Sequence, residues 1–589
     1  MKIALVALNS KFIHTNLAIH SLKRYFDVYK KNTTCDIEVK EFTINNDLDL
    51  VLRTLIKGQY DCVFVSAYIW NIHQLDQLFE NYKKIAPESL VIFGGPEVTY
   101  DPVKQLESKS HIDAVVFGEG EKIFLELVEL IHEIGFDEGV RKVAGVAYRI
   151  DSICVANEPM APIEPLDLLP FPYESPDIFD NRIVYYESSR GCPYSCSYCL
   201  SSAVKGLRHL SFERVKTDLQ WFLDRKVAQV KFVDRTFNAL KAHAIPILEF
   251  LIEHDNGVTN FHFEITATQL DERYYEILKH ARAGLFQFEV GIQTTYEPTM
   301  HAIQRPMGFQ QVKDACKHIL EIGGIHLHVD LIAGLPYETF ERFLMSFDDV
   351  YSIGADQLQL GFLKILKGTP ISSEIQKHGY LIRSQAPYEV LANRYITFDE
   401  LSKLKDIETL LEYYDNSGKF KLSIHYFMKK ASLSPSAFYQ NMVDYFHLNA
   451  YFDAPIGTYR LYEILYAYFV HQYGESDLFK DLLKADYYYA NMKGDRELFV
   501  YPIWPNFNEW RLSLLKDEKF VAEYLDIHDS IQPKQILKNV TFVTFMYDIM
   551  SLVSSDFETC DKKLTVMVFD YSKASHVNMR RVEDHWITR

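Results

Sequence analysis

The chain has 589 residues and a formal net charge of −18, with 48% hydrophobic and 24% charged residues. This length exceeds one ordinary hydrophobic core, so several domains are expected. No run approaches the roughly 20 apolar residues that cross a bilayer, and an acidic chain is poorly suited to wrapping nucleic acid. We therefore expect no membrane-spanning segment and a cytoplasmic location, while a local basic groove for nucleic acid stays open.

The first 120 residues alternate apolar, strand-like runs with helix-like segments. In the opening MKIALVALNS, one Lys precedes an apolar run that Asn9 and Lys11 soon break, which favours a strand over a signal peptide. The predicted strands are Ile3–Leu8, Ile37–Ile44, Cys62–Ile69, Leu90–Gly95 and Ala114–Gly118. This alternation predicts a doubly wound, Rossmann-like parallel sheet in residues 1–140, with ligands outside the carboxyl ends of its strands.

Residues 141–180 are predicted to form a short β-hairpin and then a linker, because six prolines fall between Pro159 and Pro176. A second alternation occupies residues 181–378. Its predicted strands are Val184–Glu187, Val230–Asp234, Phe261–Ile265, Phe286–Ile292, His326–Ile332 and Gln357–Phe362. Six strands separated by helices predict a partial TIM barrel with chemistry at the C-terminal strand ends. Residues 379–589 are predicted to form a mainly helical domain with one closing strand, Leu564–Tyr571. We expect this domain to shape the substrate pocket or to cover the mouth of the barrel.

Three of the eight cysteines are crowded together, whereas the other five are dispersed as small buried residues usually are. Cys192, Cys196 and Cys199 form a C-x3-C-x2-C pattern after the first strand of the second domain. Thiolates are soft ligands suited to iron–sulfur clusters, and three of them leave one iron of a cubane open for a substrate's amino and carboxylate groups. The alternatives are a chance grouping or a zinc site, whose nearest candidate for a fourth ligand is His209.

The segment Ser189–Cys199 resembles the cluster-binding motif of the radical S-adenosylmethionine (SAM) superfamily. Similar segments follow at residues 232–237 (FVDRTF), 289–293 (EVGIQ) and 330–339 (DLIAGLPYET). The resemblance implies that Cys192, Cys196 and Cys199 bind a [4Fe–4S] cluster that reductively cleaves SAM to a 5′-deoxyadenosyl radical. It further implies that Tyr198 contacts the adenine of SAM.

Other SAM contacts are predicted at the strand ends of the barrel. Glu264 ends the third strand and could hold the SAM ammonium group, or be a solvated strand-end charge. Gln293 could reach the ribose, or be a structural amide. Asp234 could bind substrate or cofactor, or cap the next helix, and Gly334 belongs to the G-L-P-x-E-T element. His326 and His328 share one face of strand five, which the sequence does not assign to the lumen.

The glycine-rich first domain, placed before a radical SAM domain, resembles the cobalamin-binding radical SAM enzymes, the group of the anaerobic Mg-protoporphyrin cyclase and the class B methyltransferases. The matching positions lie in strand-end loops: Asn9, His14, Ser66, Tyr68, Trp70, Gly94, Gly95, Pro96, Glu97, Gly118, Glu119 and Gly120. The D-x-H-x-x-G signature is absent, because Phe12 and Leu17 occupy its Asp and Gly positions. The resemblance therefore implies cobalamin without an axial His, and Tyr68 and Trp70 are candidates for the lower cobalt face. Ordinary packing of these residues, or a domain that binds nothing, stays open.

Three functions are compatible with these features. The first is a methyltransferase in which the deoxyadenosyl radical abstracts hydrogen and methylcobalamin supplies a methyl group to an unactivated carbon. The second is an enzyme of the same build that performs cyclisation, rearrangement or reduction. The third is a cobalamin- or redox-responsive module without catalysis. The expected partners are a small-molecule substrate or a modified nucleoside, and an electron donor such as flavodoxin or ferredoxin.

Overall fold

The computed structural model describes residues 1–31, 33–173, 182–203, 206–305, 307–490, 498–499, 505–525, 532–560, 562–572 and 577–587. The chain forms two compact units, Met1–Leu401 and Ser402–Arg589. The last part of the predicted linker, from residue 174 to residue 180, lies outside the described residues. Within the described ranges, no helix combines the length and the apolar character needed to cross a bilayer.

The first sheet has seven strands in the order β2-β1-β3-β4-β5-β6-β7. The strands are β1 Lys2–Asn9, β2 Asp36–Thr43, β3 Cys62–Ser66, β4 Leu90–Gly94, β5 Ala114–Val116, β6 Val146–Ile150 and β7 Ile153–Ala156. β1 to β5 pair in parallel, and β6 and β7 add antiparallel to the edge of β5. The five predicted strands are confirmed, and the predicted hairpin extends this sheet instead of belonging to a separate linker.

Helices cover both faces of this sheet. They are α1 Leu17–Tyr29, α2 Leu48–Gly58, α3 Ile72–Ile85, α4 Pro102–Ser108, α5 Gly120–Ile134 and α6 Phe136–Val140. The strands are apolar throughout because alternate side chains enter two cores, one containing Phe64 and Phe124 and the other containing Val65 and Phe79. The strand order reverses direction between β1 and β3, and ligands of doubly wound sheets bind at such a point.

The second sheet has six parallel strands in the order β15-β14-β13-β12-β11-β8. After β8 Ile183–Tyr186 comes an antiparallel ribbon of β9 Ser189–Gly191 and β10 Leu207–His209. The other strands are β11 Gln229–Phe232, β12 Asn260–Ile265, β13 Phe286–Gln293, β14 His326–Ala333 and β15 Gln357–Phe362. All six predicted strands are confirmed. β8 and β15 are the two edge strands of the sheet, as in a partial barrel.

Helices alternate with the strands of the barrel. They are α7 Phe212–Asp224, α8 Lys241–Glu253, α9 Glu272–Leu278, α10 Glu297–Ala302, α11 Phe309–Ile322 and α12 Phe340–Tyr351. On β13 the buried residues Phe286 and Phe288 alternate with the less buried Gln287 and Glu289. One face of the sheet is therefore apolar, and the other is a polar lumen. The first compact unit also contains α13 Ile375–His378 and the antiparallel pair β16 Leu381–Ile382 and β17 Val390–Ala392.

The second unit is mainly helical, as predicted, and the division between the units falls within α14 Phe398–Tyr414. The remaining helices are α15 Lys421–Ala431, α16 Pro435–Leu448, α17 Thr458–Tyr473, α18 Asp477–Ala490, α19 Phe507–Leu514, α20 Glu518–Tyr524, α21 Pro533–Ile536, α22 Ile549–Ser554 and α23 Asp584–Ile587. The predicted last strand belongs to an antiparallel sheet of β18 Val540–Phe545, β19 Thr565–Asp570 and β20 Asn578–Arg581. The expectation of a single strand was wrong, because two more strands pair with it. One is β18, a buried run of Val, Thr and Phe, and the other is β20, whose sequence NMRR has no strand pattern of its own.

Candidate active site

The three predicted cluster ligands lie in residues 192–203, which follow β9 and which we call the cysteine loop. Cys196 is buried, and Cys192 and Cys199 are partly exposed. In the described ranges, the one group of His, Cys, Asp or Glu ligand atoms within 4.8 Å of one another lies elsewhere. The three sulfurs therefore do not all lie within 4.8 Å of one another.

Asp234 anchors the chain where it enters the cysteine loop. Its fully buried carboxylate accepts hydrogen bonds from the Ser188 N–H (2.9 Å), the Ser188 Oγ (2.6 Å) and the Ser189 Oγ (2.5 Å). Burial raises the pKa of Asp234 to about 6. The next helices begin after Thr236 and Leu240, so Asp234 caps neither of them. Asp234 therefore positions the chain before the cysteine loop, and its predicted contact with substrate or cofactor stays a prediction.

Arg305 lies on the other side of the cysteine loop and was not predicted. Its Nη1 is 3.5 Å from the Cys196 Sγ, and its Nη2 donates to the Gly291 carbonyl at 2.8 Å. The guanidinium therefore lies between a cluster ligand and the end of β13, where it can pair with a carboxylate. Its local sequence carries no distinguishing signal, because only the fold brings it to Cys196. Tyr198, next to Cys199, is partly exposed, and burial of its hydroxyl raises its pKa.

Gln293 ends β13 in a conformation that carries backbone strain. Its φ is +72°, in the left-handed region that side chains rarely adopt, and the β13–β14 register shifts between Gly291 and Gln293. Its buried Oε1 has no hydrogen-bond partner among the described residues. A buried carbonyl oxygen of this kind fits a ligand that brings a hydroxyl donor, such as a ribose. Gly334, also at positive φ (+89°), follows β14 and accepts a hydrogen bond from Asn393.

The predicted Glu264 lies in the barrel beside other carboxylates. It is paired in register with Glu289 of β13. Burial, and then the charge of Glu289, raise the pKa of Glu264 to about 7. Burial followed by Glu289 and Glu264 also raises the pKa of Asp330 on β14. A cationic ligand group such as an ammonium would favour the ionised forms of these carboxyl groups.

The His328 side chain lies in the lumen beside Glu289 and Asp330. The sequence alone did not assign this face of the fifth strand to the lumen. His328 is buried, its Nε2 lies 3.2 Å from the Asp330 Oδ1, and burial lowers its pKa to about 4. Although burial opposes ionisation, the hydrogen bond from His262 and the charge of Lys231 lower the pKa of Glu289 to about 2. Ligand atoms of Glu289, His328 and Asp330 lie within 4.8 Å of one another. The lumen thus combines a fixed anion with neutral imidazoles.

Glu338 of the segment 330–339 is buried behind the end of β13 and does not line the lumen. It is 1% exposed and accepts hydrogen bonds from the Thr294 Oγ1 (2.6 Å) and the Ser346 Oγ (2.8 Å). Thr339 begins α12 by accepting from the Arg342 N–H. This part of the motif therefore fixes the backbone next to Gln293.

Glu338→Gln should flatten the pH dependence of stability. Burial raises the pKa of Glu338 from 4.5 to about 7, so between these values the folded protein holds a proton that the unfolded chain has lost. Stability is therefore lost as the pH rises through about 7. We expect the wild-type free energy of unfolding to fall, relative to the variant, by roughly 1–3 kcal/mol between pH 5 and pH 8 in urea titrations. The exposed Glu341→Gln is the control, and equal slopes for Glu338→Gln and wild type would contradict the assignment.

A slot of about 160 Å³ opens at the carboxyl edge of the first sheet, between β3 to β5 and helices α1 and α5. Its walls include the apolar side chains of Phe64, Ile92 and Phe124. Six predicted cobalamin residues line it: Ser66, Tyr68, Gly94, Gly95, Gly118 and Gly120. At Gly95 (φ +112°) a Cβ would lie 2.5 Å from the Ala67 carbonyl oxygen, so only glycine fits. A narrow apolar slot with glycine edges suits a flat aromatic group.

Trp70 and Tyr68 form a stacked pair after β3. Their ring centroids are 4.3 Å apart with an interplanar angle of 11°, and Trp70 is 44% exposed. The Trp70 Nε1 donates to the Leu8 carbonyl, which fixes the pair at the switch point between β1 and β3. A flat exposed ring at this point is compatible with the predicted role at a cobalt face.

The other predicted cobalamin residues do not line the slot. The Asn9 amide donates to the His14 carbonyl and to Glu41, and the His14 Nδ1 is 2.8 Å from the Tyr185 Oη of β8. Pro96 lies in the turn after β4. The Glu97 carboxylate meets the Lys367 Nζ at 2.8 Å and accepts from Tyr388, and the Glu119 carboxylate pairs with Arg190 and Arg208. The contacts of His14, Glu97 and Glu119 join the first domain to residues of the barrel and of the segment after it.

Three family models match successive parts of the chain. They are the B12 binding domain at residues 3–128, the radical SAM superfamily at 186–350 and a protein of unknown function (DUF4080) at 376–569. The first covers the sheet with the slot, and the second covers the barrel with the cysteine loop.

Named relatives align with roughly half of the chain. The 2-(S-pantetheinyl)-carbapenam-3-carboxylate methyltransferase of Streptantibioticus cattleyicolor is 26% identical over 55% of this chain and 50% of its own length. The anaerobic magnesium-protoporphyrin IX monomethyl ester cyclase of Rubrivivax gelatinosus is 26% identical over 53% and 58%. The chain thus spans about half the length of these relatives. The solved TsrM methyltransferase of Kitasatospora setae, with cobalamin and a [4Fe–4S] cluster, shares the fold at TM-score 0.54 and 18% identity, over 64% of this chain and 78% of its own.

Proposed function

The chain combines a B12-binding domain with a radical SAM domain, and we propose that it is a cobalamin-dependent radical SAM enzyme that methylates an unactivated carbon of a small molecule. One observation carries the proposal. Within a single compact unit, the cysteine loop adjoins a ligand-ready strand end at Gln293, and the preceding sheet opens a glycine-edged slot. The cysteine loop beside Gln293 is suited to a cluster and SAM, and the slot is suited to a second, separate cofactor.

The proposed division of labour follows from the donor groups. A [4Fe–4S] cluster would supply the electron for cleaving SAM, and cobalamin would supply the methyl group. Cys192, Cys196 and Cys199 would hold the cluster as thiolates. Arg305 offers a guanidinium to the SAM carboxylate, Glu264 offers an anion to its ammonium, and Gln293 offers its unpaired Oε1 to the ribose.

The slot would take the planar base of the cobalamin tail, because its walls are apolar and its glycines allow close approach of a ring. Tyr68 and Trp70 would then meet the lower face of the corrin. The electron would come from a small redox protein such as flavodoxin or ferredoxin. The substrate is proposed to be a small molecule, and a modified nucleoside is the alternative.

A second candidate is an enzyme of the same build that does not methylate. The similarity to the magnesium-protoporphyrin cyclase favours it, because that relative matches a comparable part of the chain. The two candidates share every residue discussed above and differ in their products.

Anaerobic reconstitution with iron, sulfide and hydroxocobalamin tests the proposal. We expect an optical spectrum with an iron–sulfur shoulder and a corrinoid band. With SAM and a reductant, the protein should form both 5′-deoxyadenosine and S-adenosylhomocysteine. A corrinoid band with 5′-deoxyadenosine alone would favour the non-methylating candidate. No retained corrinoid at saturating concentration would overturn the cobalamin assignment.

A further inference from the structure

One carboxylate, Glu121, borders both cofactor regions. It lines the slot and is 6% exposed. The same carboxylate binds Arg190, whose Nη2 is 2.8 Å from the Glu121 Oε1. Arg190 is two positions before Cys192 and lies on β9, the strand that leads into the cysteine loop. This partly buried ion pair therefore joins the slot wall to the strand that leads into the cysteine loop.

The neighbouring Glu119 strengthens this connection from both strands of the ribbon. Its Oε2 is 3.3 Å from the Arg190 Nη1, and its Oε1 pairs with Arg208. Arg208 and Arg190 are register partners on β10 and β9. The segment after β5 includes Gly118 and Gly120 of the slot. Through Glu119 and Glu121 it thus binds both strands of the ribbon, β9 and β10, and β9 leads into the cysteine loop.

The connection is stiff at its cluster end. Glu187 accepts from the Arg190 Nε (3.1 Å) and Nη2 (2.7 Å), which fixes the plane of the guanidinium. Gly191 has a φ of +105°, and a Cβ at this position would lie only 2.1 Å from the Gly206 carbonyl oxygen. Because these contacts restrict the backbone between Arg190 and Cys192, we expect a displacement of Arg190 to move Cys192 as well.

We propose that Arg190 is a positioning residue that couples the two cofactor sites, so that a corrinoid in the slot and a cluster in the cysteine loop each strengthen the binding of the other. The inference rests on the proposed function, since it needs both cofactors to bind. A corrinoid in the slot would contact Gly118, Gly120 and Glu121, and Glu119 and Glu121 hold the ribbon that leads to Cys192. Binding free energies are reciprocal, so the cluster must tighten corrinoid binding by the same factor.

The experiment measures the hydroxocobalamin Kd of the full chain, by quenching of tryptophan fluorescence, with and without the reconstituted cluster. For the wild type we expect the cluster to tighten binding by roughly 5–100-fold. Arg190→Gln should bring this ratio close to one. Arg190→Lys keeps the charge but loses the planar fork, so its ratio should be intermediate. Arg214→Gln is the matched control, because Arg214 binds Asp218 at 2.9 Å on the same side of the barrel and should keep the wild-type ratio.

The outcomes separate this inference from the proposed function. Equal Kd values with and without cluster in the wild type would overturn the coupling and leave the proposed function standing. Failure to bind corrinoid in either state would instead overturn the proposed function. If Arg190→Gln does not fold, the double variant Glu119→Gln/Glu121→Gln removes both partners of Arg190 in the loop after β5. A wild-type ratio in that double variant would then contradict the role of Arg190.

Discussion

Cys196→Ala should lower 5′-deoxyadenosine formation to about one thousandth of the wild-type rate or less, because a cubane left with two thiolates is not held in place. Cys196 is the most buried of the three ligands and the one that Arg305 contacts. The iron content after anaerobic reconstitution should fall with the activity. Both quantities are measured on the same protein, by chromatography of the products and by colorimetric iron analysis.

The control for this variant is Cys154→Ala, which removes a partly exposed thiol on β7, outside the cysteine loop. It should keep the wild-type iron content and rate. Cys196→Ala with an unchanged rate of product formation would contradict the enzyme assignment. Such a result would favour a cobalamin- or redox-responsive module without catalysis.

Much of the fold was predictable because its signals are local. The strands of both parallel sheets are short apolar runs separated by helical periodicity, and each was predicted to within a few residues of its bounds. Pairing across long distances has no such signal. The hairpin β6–β7 looked like part of a linker, yet it adds to the edge of β5, because Val146 and Ala147 pair with Val116 and Val115.

The same distinction applies to the site. The spacing of Cys192, Cys196 and Cys199 is local, so their shared loop was predictable, and the slot glycines were visible as strand-end glycines. The partners of polar side chains are not local. Asp234 is a buried anchor and Glu97 pairs across the domain seam, although both occupy strand-end positions typical of ligand contacts. The domain boundaries after residues 140, 180 and 378 stay predictions.

Gly94→Leu should weaken cobalamin binding about 100-fold or more, equivalent to roughly 2.7 kcal/mol. Gly94 lines the slot at the end of β4, and a Cβ there would lie 3.6 Å from the Val116 Cβ, which is ordinary van der Waals contact. Its φ is not in the left-handed region, so a side chain causes no backbone strain. The added isobutyl group therefore occupies slot volume that the planar base would need.

Graded substitutions make this prediction specific to the slot. Gly94→Ala adds one methyl group and should cost less than tenfold in Kd, since each buried methylene accounts for roughly 0.8 kcal/mol. Gly457→Leu, at a glycine with free space around its Cβ position in the second unit, should leave the Kd unchanged. Cluster iron after saturating reconstitution should stay at the wild-type level in all three variants. If Gly94→Leu binds hydroxocobalamin as tightly as the wild type, the tail does not enter this slot, and the corrinoid must be held by the Tyr68–Trp70 face alone.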